Sequence, residues 1–366
     1  MKTKKLLYIT NGITGSGGLE RVLSIKASMI ADGFDYEVHL LSLNEEGKET
    51  FFSFSKNISF HSFSVSGNPV SYFTSYKNGI QKIINHIQPD IISVCDDGLK
   101  GFFLPKLIQT DSKWIYERHV SKLIEARFGQ GVINKVITKV KWFLMEKLGS
   151  DFSRFIVLTD RNRKEWSTLN NLEVIPNPLS FYPGESSALD QKKVICVGKI
   201  SYQKGQDLLV EAWDKVWRKH PDWKLELYGK SNEDYLNTER LKEKNILHFP
   251  PEKNIMEKYL DSSIYVMSSR FEGFGMVLIE AMACGVPCIS FDCDYGPSDI
   301  IIDNEDGLLV KKESTKDLAD KLLLLIENND LRQDFGKKAK VNVQRFEQSI
   351  IAQKWDNLFK RILQEI

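Results

Sequence analysis

No stretch of this 366-residue chain approaches the ~18 consecutive apolar residues that a helix needs to cross a bilayer. The basic start, Met1 to Lys5, is followed only by the short run Leu6 to Thr10, too brief for the apolar region of a secretory signal. The chain is therefore expected to stay in the cytoplasm. An excess of one charge is also missing. The 50 Lys and Arg residues against 49 Asp and Glu leave a formal net charge of +1, whereas a nucleic-acid-binding domain normally carries a marked basic excess. No nucleic-acid partner is expected. Cysteine is scarce, with five residues and no Cys-x-x-Cys pair. Cys284, Cys288 and Cys293 cluster without a neighbouring His, so buried thiols in a reducing compartment are expected rather than a metal site. One glycine is lacking as well. Gly15 and Gly17 begin a dinucleotide fingerprint, but Glu20 stands where its third glycine belongs. That counts against a nicotinamide-dependent oxidoreductase.

What is present is an ordinary globular balance, 42% hydrophobic and 27% charged. At ~100–200 residues per domain, the length suggests two domains. Strand-like runs at 6–10, 37–43, 89–95, 113–117, 155–159 and 172–175 alternate with helical patterns over 19–32, 76–86, 101–109, 133–148 and 161–168. Pro176 to Ala188 holds three prolines and little periodicity, which predicts a linker. A second series of strands follows at 193–198, 224–228, 246–249, 264–267, 287–291 and 307–310. Such alternation predicts parallel α/β sheets covered by helices on both faces. We expect two doubly wound, Rossmann-like domains, 1–180 and 181–349, with the last helix, 350–366, packing back onto the first.

The sharpest chemical cluster runs from Ser268 to Pro287. A strand ends near Met267, a glycine-bearing loop turns, and a helix begins near Gly275. The N–H groups of a first helical turn suit an anion, and glycine lets a ligand approach the backbone closely. Glu272 and Glu280 bracket that turn, and carboxylates suit the vicinal hydroxyls of a sugar or ribose. A helix start that carries acids only because the dipole favours them would look the same. After the first strand of the second domain, Lys199 and Lys204 stand beside Gly198 and Gly205. Two such cations can neutralise the charge developing on a diphosphate leaving group, or can simply be solvated. His119 follows the strand 113–117, at the end of the strand where ligands bind in such sheets.

These residues resemble glycosyltransferase family 4, a group of retaining enzymes with the GT-B fold. The Glu272–Glu280 spacing fits its E-x7-E motif, and Ala281 to Pro287 resembles its helix end and next strand. The resemblance implies that Glu272 faces the donor sugar and Glu280 the nucleotide ribose. It also implies that the backbone at Gly275, Met276, Val277 and Leu278 meets the diphosphate. Gly198 to Gly205 resembles the family's Gly-Arg…Lys-Gly loop, with Lys199 where Arg is usual. Lysine keeps the charge there but loses the planar fork. Gly15 to Arg21 resembles the family's Gly-Gly loop, which puts Gly17 and Gly18 near donor diphosphate and acceptor. Members often carry a His where His119 stands, near the donor sugar. Asp292 to Ile301 resembles a loop of members that use UDP-galactose-type or UDP-N-acetylhexosamine donors, and is equally a Gly-Pro turn with a Ser cap. The resemblance thus implies an α/β, GT-B enzyme whose two domains face each other across a cleft. Glu272, His119, Lys204 and Lys199 would carry the chemistry on a UDP-hexose or UDP-N-acetylhexosamine donor. The acceptor would be a sugar of a lipid-linked or surface polysaccharide, with no cofactor beyond the donor and no metal.

Residues 133–148 interleave lysines with apolar and aromatic residues, and Lys122 and Arg127 lie just upstream. Such a helix can lie on an anionic bilayer at the inner face of the cell membrane, or can pack in the core with a solvated basic face. In family members with lipid-linked acceptors the first domain often carries a patch of this kind. Two rival readings keep the fold: a non-hydrolysing UDP-sugar epimerase and a non-catalytic partner of an assembly.

Overall fold

The computed structural model describes residues 3–365 apart from 97, 127–131, 233, 234 and 237. The chain divides into two units, Met1–Pro178 with Gln348–Ile366, and Leu179–Glu347. Its helices of eight residues or more are α1 (Gly18–Gly33), α2 (Pro69–Ile87), α3 (Val132–Gly149), α4 (Gln206–Lys219), α5 (Met276–Ala283), α6 (Thr315–Glu327), α7 (Asn329–Asn342) and α8 (Gln348–Gln364).

The first unit is built on strands β1 (Lys4–Thr10), β2 (Tyr36–Leu43), β3 (Ile58–Phe63), β4 (Ile91–Cys95), β5 (Lys113–Glu117), β6 (Arg154–Val157) and β7 (Leu172–Val174). They pair in parallel in the order β3-β2-β1-β4-β5-β6-β7. Side chains alternate across a strand, and β1 uses both faces. Leu6 and Tyr8 enter one core with α1 and α8, while Leu7 and Ile9 enter another with α2. Helix α8 earns its place through Ile351, Trp355, Leu358, Phe359 and Ile362, all buried at helical spacing. Each such side chain contributes about 1.5–3 kcal/mol on burial.

The second unit repeats the plan with β8 (Lys193–Val197), β9 (Lys224–Tyr228), β10 (Ile246–Phe249), β11 (Ile264–Met267), β12 (Cys288–Phe291) and β13 (Gly307–Val310). All pairs are parallel, in the order β10-β9-β8-β11-β12-β13. Leu209, Trp213 and Val216 of α4 pack with Leu318 and Leu322 of α6 over this sheet. In each sheet the winding reverses beside its first strand, between β1 and β4 and between β8 and β11. Ligands of open α/β sheets bind outside the carboxyl ends of the strands at that point.

Several elements depart from expectation. Strand β3 was not foreseen. It is an edge strand whose Ile58 alone is fully buried, while Phe60 is 48% exposed. Helix α2 starts seven residues before the expected Tyr76, because the Asn68 side chain accepts hydrogen bonds from the Val70 and Ser71 amides and Pro69 occupies the first position. The helix expected over 101–109 is two short turns, Leu99–Phe102 and Leu104–Leu107, and that over 161–168 is a 3-10 turn, Arg161–Trp166. The segment 176–188 has no regular structure but is no loose linker. The Leu179 amide donates to the Phe346 carbonyl at 2.8 Å, and Ser187 bonds to the Cys284 and Ser262 carbonyls at 2.8 and 2.6 Å.

Candidate functional site

In the second unit two loops meet at the switch point. The first joins β8 to α4 and carries Gly198, Lys199, Lys204 and Gly205. The second joins β11 to α5 and carries Ser268 to Gly275. They are stitched together by backbone. The Arg270 amide donates to the Gln203 carbonyl at 2.8 Å, and Ser268 Oγ donates to the Lys204 carbonyl at 2.9 Å. Arg270 adds a side-chain clamp. Its guanidinium grips both carboxylate oxygens of Asp207 at 2.9 and 2.7 Å, donates to the Tyr202 carbonyl at 2.8 Å, and lies 4.1 Å from the Tyr202 ring centre. Burial would raise the Asp207 pKa, but the bonds from Arg270 and Tyr235 hold it below the usual carboxylate range. Gly205 sits in the left-handed region at φ 63°, and a Cβ there would fall 2.1 Å from the Ser268 carbonyl oxygen. Only glycine allows the loops to come this close.

The clamp sets Lys204 against Glu272. Lys204 Nζ lies 2.7 Å from Glu272 Oε1, which also accepts from Ser269 Oγ at 2.6 Å. Glu272 is buried, whereas the Lys204 side chain remains 25% exposed. Lys199 is exposed, and its ammonium has no ion-pair partner among the described residues. Helix α5 opens at Gly275, whose φ of 105° turns the chain into the helix. The Met276 and Val277 amides of its first turn have no acceptor within the helix. Leu278 differs from expectation, because its amide already donates to the Gly275 carbonyl at 2.9 Å. Glu280 differs too. It is fully buried, with one oxygen accepting from Ser180 Oγ at 2.7 Å and the other from the Tyr259 hydroxyl at 3.3 Å. A ribose hydroxyl would have to displace or join one of these donors.

The loop Asp292 to Ile301 leans on the same turn. A Cβ on Gly296 would fall 1.9 Å from the Phe274 carbonyl oxygen. Asp292 and Asp294 have the Asp-x-Asp spacing, but Asp294 is ion-paired with Lys312 at 2.7 Å and Cys293 between them is buried. Cys284 and Cys288 are likewise buried thiols, and burial pushes the Cys284 pKa up to about 12. The three cysteines do not assemble a metal-binding group among the described residues.

In the first unit the glycine loop after β1 is covered by its own acid. The Glu20 carboxylate folds back so that a Cβ on Gly15 or Gly17 would lie 2.4 or 2.5 Å from it, while a Cβ on Gly18 would meet nothing within 4 Å. His119 follows β5 with its side chain only 6% exposed, Nε2 3.4 Å from Glu117 Oε2. Glu117 and its partner Lys26 were not foreseen. Lys26 is 1% exposed and bonds to Glu117, while Ser93 Oγ donates to the other Glu117 oxygen at 2.5 Å. Burial would raise the Glu117 pKa, but the charge of Lys26, and after it the contact from His119, bring it down to about 2. The sequence did hold a signal for Lys26: it lies on the apolar stripe Val22, Leu23, Ala27, Ile30 of α1. Cys95, Glu117 and His119 bring donor atoms within 4.8 Å of one another. A divalent cation there would share the carboxylate with the Lys26 ammonium at close range, which is electrostatically unfavourable.

Helix α3 divides its residues. Met145 and Leu148 enter the core, whereas Val136, Ile137, Val140 and Phe143 are 52–65% exposed, with Lys135 and Lys139 exposed among them. Lys122 does not extend this basic face. It is buried, ion-paired with Glu146 at 2.5 Å and 3.9 Å from the Trp166 ring centre. Arg127 lies outside the described residues. No helix among the described residues is long and apolar enough to cross a membrane.

Comparison with known proteins places the chain. Residues 183–342 match the family model described as glycosyl transferases group 1, and residues 22–142 the model described as glycosyl transferase 4-like. The amylovoran biosynthesis glycosyltransferase AmsD of Erwinia amylovora is 30% identical over 375 residues, spanning 97% of this chain and 99% of that protein. Among solved structures, a variant of TarM from S. aureus in complex with fondaparinux, α-GlcNAc-glycerol and UDP superposes with a TM-score of 0.76 at 17% identity, over 97% of this chain and 99% of that one. HepE of Anabaena in complex with UDP and glucose gives 0.77 at 16%, over 98% and 99%. These two likenesses establish the fold, the GT-B pairing of two Rossmann-like domains.

Proposed function

The chain belongs to the group 1, family-4-like glycosyltransferases, and from that premise we propose that it moves a hexose or N-acetylhexosamine from a UDP-linked donor, with retention and without a metal, to a sugar of a lipid-linked or surface polysaccharide. The observation that carries this reading is the Lys204–Glu272 pair at the switch point of the second unit. A carboxylate that can accept from sugar hydroxyls is held beside a cation that can meet a departing diphosphate. Lys199 adds a second charge at the rim. The Met276 and Val277 amides supply donors that need no reorganisation. Glu280 is assigned to the ribose, whose hydroxyl would displace Ser180; Gly198, Gly275 and Gly18 keep the loop backbones open to ligand, and Gly17 would do so once the Glu20 carboxylate swings away. His119 is assigned to the donor sugar. The acceptor proton passes to the donor's own phosphate oxygen, since no side chain stands out as a covalent nucleophile.

The choice of UDP rests on the relatives: TarM and HepE were solved with UDP. The polysaccharide assignment rests on AmsD. The exposed apolar and basic face of α3 suits the surface of an anionic bilayer, which would bring the enzyme to a lipid-linked acceptor at the cytoplasmic face of the membrane.

A thermal-shift series with UDP, GDP, ADP and their sugar conjugates, without added metal, tests the donor class. Stabilisation by UDP compounds alone is expected. Stabilisation by GDP or ADP compounds instead would overturn the base, and silence from all of them would favour a non-catalytic partner. Interconversion of UDP-sugars without an acceptor would mark an epimerase.

A further inference from the structure

We propose that Glu117, backed by Lys26 and Ser93, is a positioning residue that fixes the His119 imidazole for transfer. The inference rests on the role given above to His119. The unusual feature is a Lys–Glu pair sealed inside the first unit, with side chains 1% and 2% exposed. The Lys26 ammonium lies 4.8 Å from the Tyr8 ring centre and 4.6 Å from that of Trp355, so aromatic faces surround it on two sides. Such pairs are poor stabilisers, because an apolar pair of the same shape often serves as well or better. A buried ion pair of this kind is better explained by what its carboxylate holds.

Glu117 holds two groups and faces a third. Oε2 takes the Lys26 ammonium and faces His119 Nε2 at 3.4 Å, while Oε1 takes the Ser93 hydroxyl. Ser93 and Glu117 come from adjacent strands β4 and β5, and Lys26 comes from α1. Three elements therefore fix one carboxylate, and that carboxylate faces a histidine that has just left the sheet. A carboxylate so anchored puts a fixed negative charge 3.4 Å from Nε2, which favours a proton on that nitrogen and biases the orientation of the ring. Partners of this kind, one step removed from the reacting atoms, set the tautomer and direction of the group that meets the ligand.

The test uses the full-length protein and four variants: E117Q, the neutral pair K26M/E117Q, H119A and H119A/E117Q. Turnover and donor KM are read from UDP release as UDP-glucose or UDP-N-acetylglucosamine, whichever stabilises the protein, is hydrolysed with water as the acceptor, and the state of the His119 ring from its ¹⁵N NMR shifts. The expected result for E117Q is a ~10–100-fold fall in kcat with little change in donor KM and altered His119 nitrogen shifts. K26M/E117Q, which removes both charges and restores a folded core, should keep the low kcat, separating position from stability. H119A/E117Q should be no slower than H119A, because Glu117 acts only through the ring. Wild-type kcat and unchanged His119 shifts in E117Q would overturn the proposal, as would additive losses in the double variant. If H119A alone turns over like wild type, the role of His119 falls, while the ring measurement still decides whether Glu117 positions it.

Discussion

Replacing Gly205 by Ala tests the loop junction most directly. Its φ of 63° is one that alanine adopts at a cost of about 1–2 kcal/mol. The larger problem is space. The new Cβ would lie 2.1 Å from the Ser268 carbonyl oxygen, where real contacts essentially never fall under 3.0 Å. The two loops must part by about 1 Å, and the movement passes to Lys204 and Glu272 through the Ser268–Lys204 and Arg270–Gln203 bonds. A misplacement of that size costs about 100-fold in turnover. We expect kcat for UDP release to fall by about that factor, with the midpoint of unfolding lowered by a few degrees, ~2–4 °C per kcal/mol in a domain of this size. Asn supplies the control. It tolerates the left-handed region but still carries a Cβ, so Gly205→Asn should be as slow as Gly205→Ala. Wild-type turnover in Gly205→Ala would refute the claim that this turn sets Lys204. Recovery in Gly205→Asn alone would show that backbone strain matters, not close approach.

Lys204→Met should lower kcat by ~10²–10³ with a smaller change in donor KM, and steady-state UDP release measures both. Gly18→Ala should leave thermal stability unchanged or raised by up to ~1 kcal/mol, since its Cβ meets nothing within 4 Å; a rise in acceptor KM without loss of stability would place a ligand against that backbone. Phe143→Glu with Val140→Glu should abolish flotation with anionic vesicles while circular dichroism stays unchanged, and retained flotation would remove α3 from the membrane. His39 Nδ1 and His61 Nε2 are 3.1 Å apart, and burial lowers both pKa values below 6.5. The unfolded chain binds these protons more readily, so their contribution to stability is full above that value and is lost as pH falls through the lower native values. Urea unfolding at pH 7.5 and 5.5 should show this loss, with a flatter profile in His61→Gln.

Legibility in the sequence followed burial. Strands buried on both faces, such as β1, β4, β11 and β12, are continuous apolar runs, and they appeared within a residue or two of their observed bounds. Strand β3 escaped because at an edge only one of its residues is fully buried, so polar residues interrupt the run. The early start of α2 escaped because a cap and a proline, not periodicity, define it. The chemical groups divide in the same way. Lys204 and Glu272 sit in loops whose glycines advertise them, whereas Glu117 and Lys26 come from distant positions, and only the fold brings them together. The burial of Glu280 by Ser180 and Tyr259 is also a product of long-range packing that residue spacing could not convey.

Helix α8 has a consequence for the order in which the protein can assemble. A nascent chain ending at Glu347 already contains every residue of the second unit. The first unit at that moment lacks Ile351, Trp355, Phe359 and Ile362, so the part of its sheet face that α8 covers, and the Trp355 side of Lys26, stand open to water. Synthesis ordinarily lets the amino-terminal domain fold first. Here the second unit is the one whose residues are all made first, and the first unit is complete only once α8 has followed it.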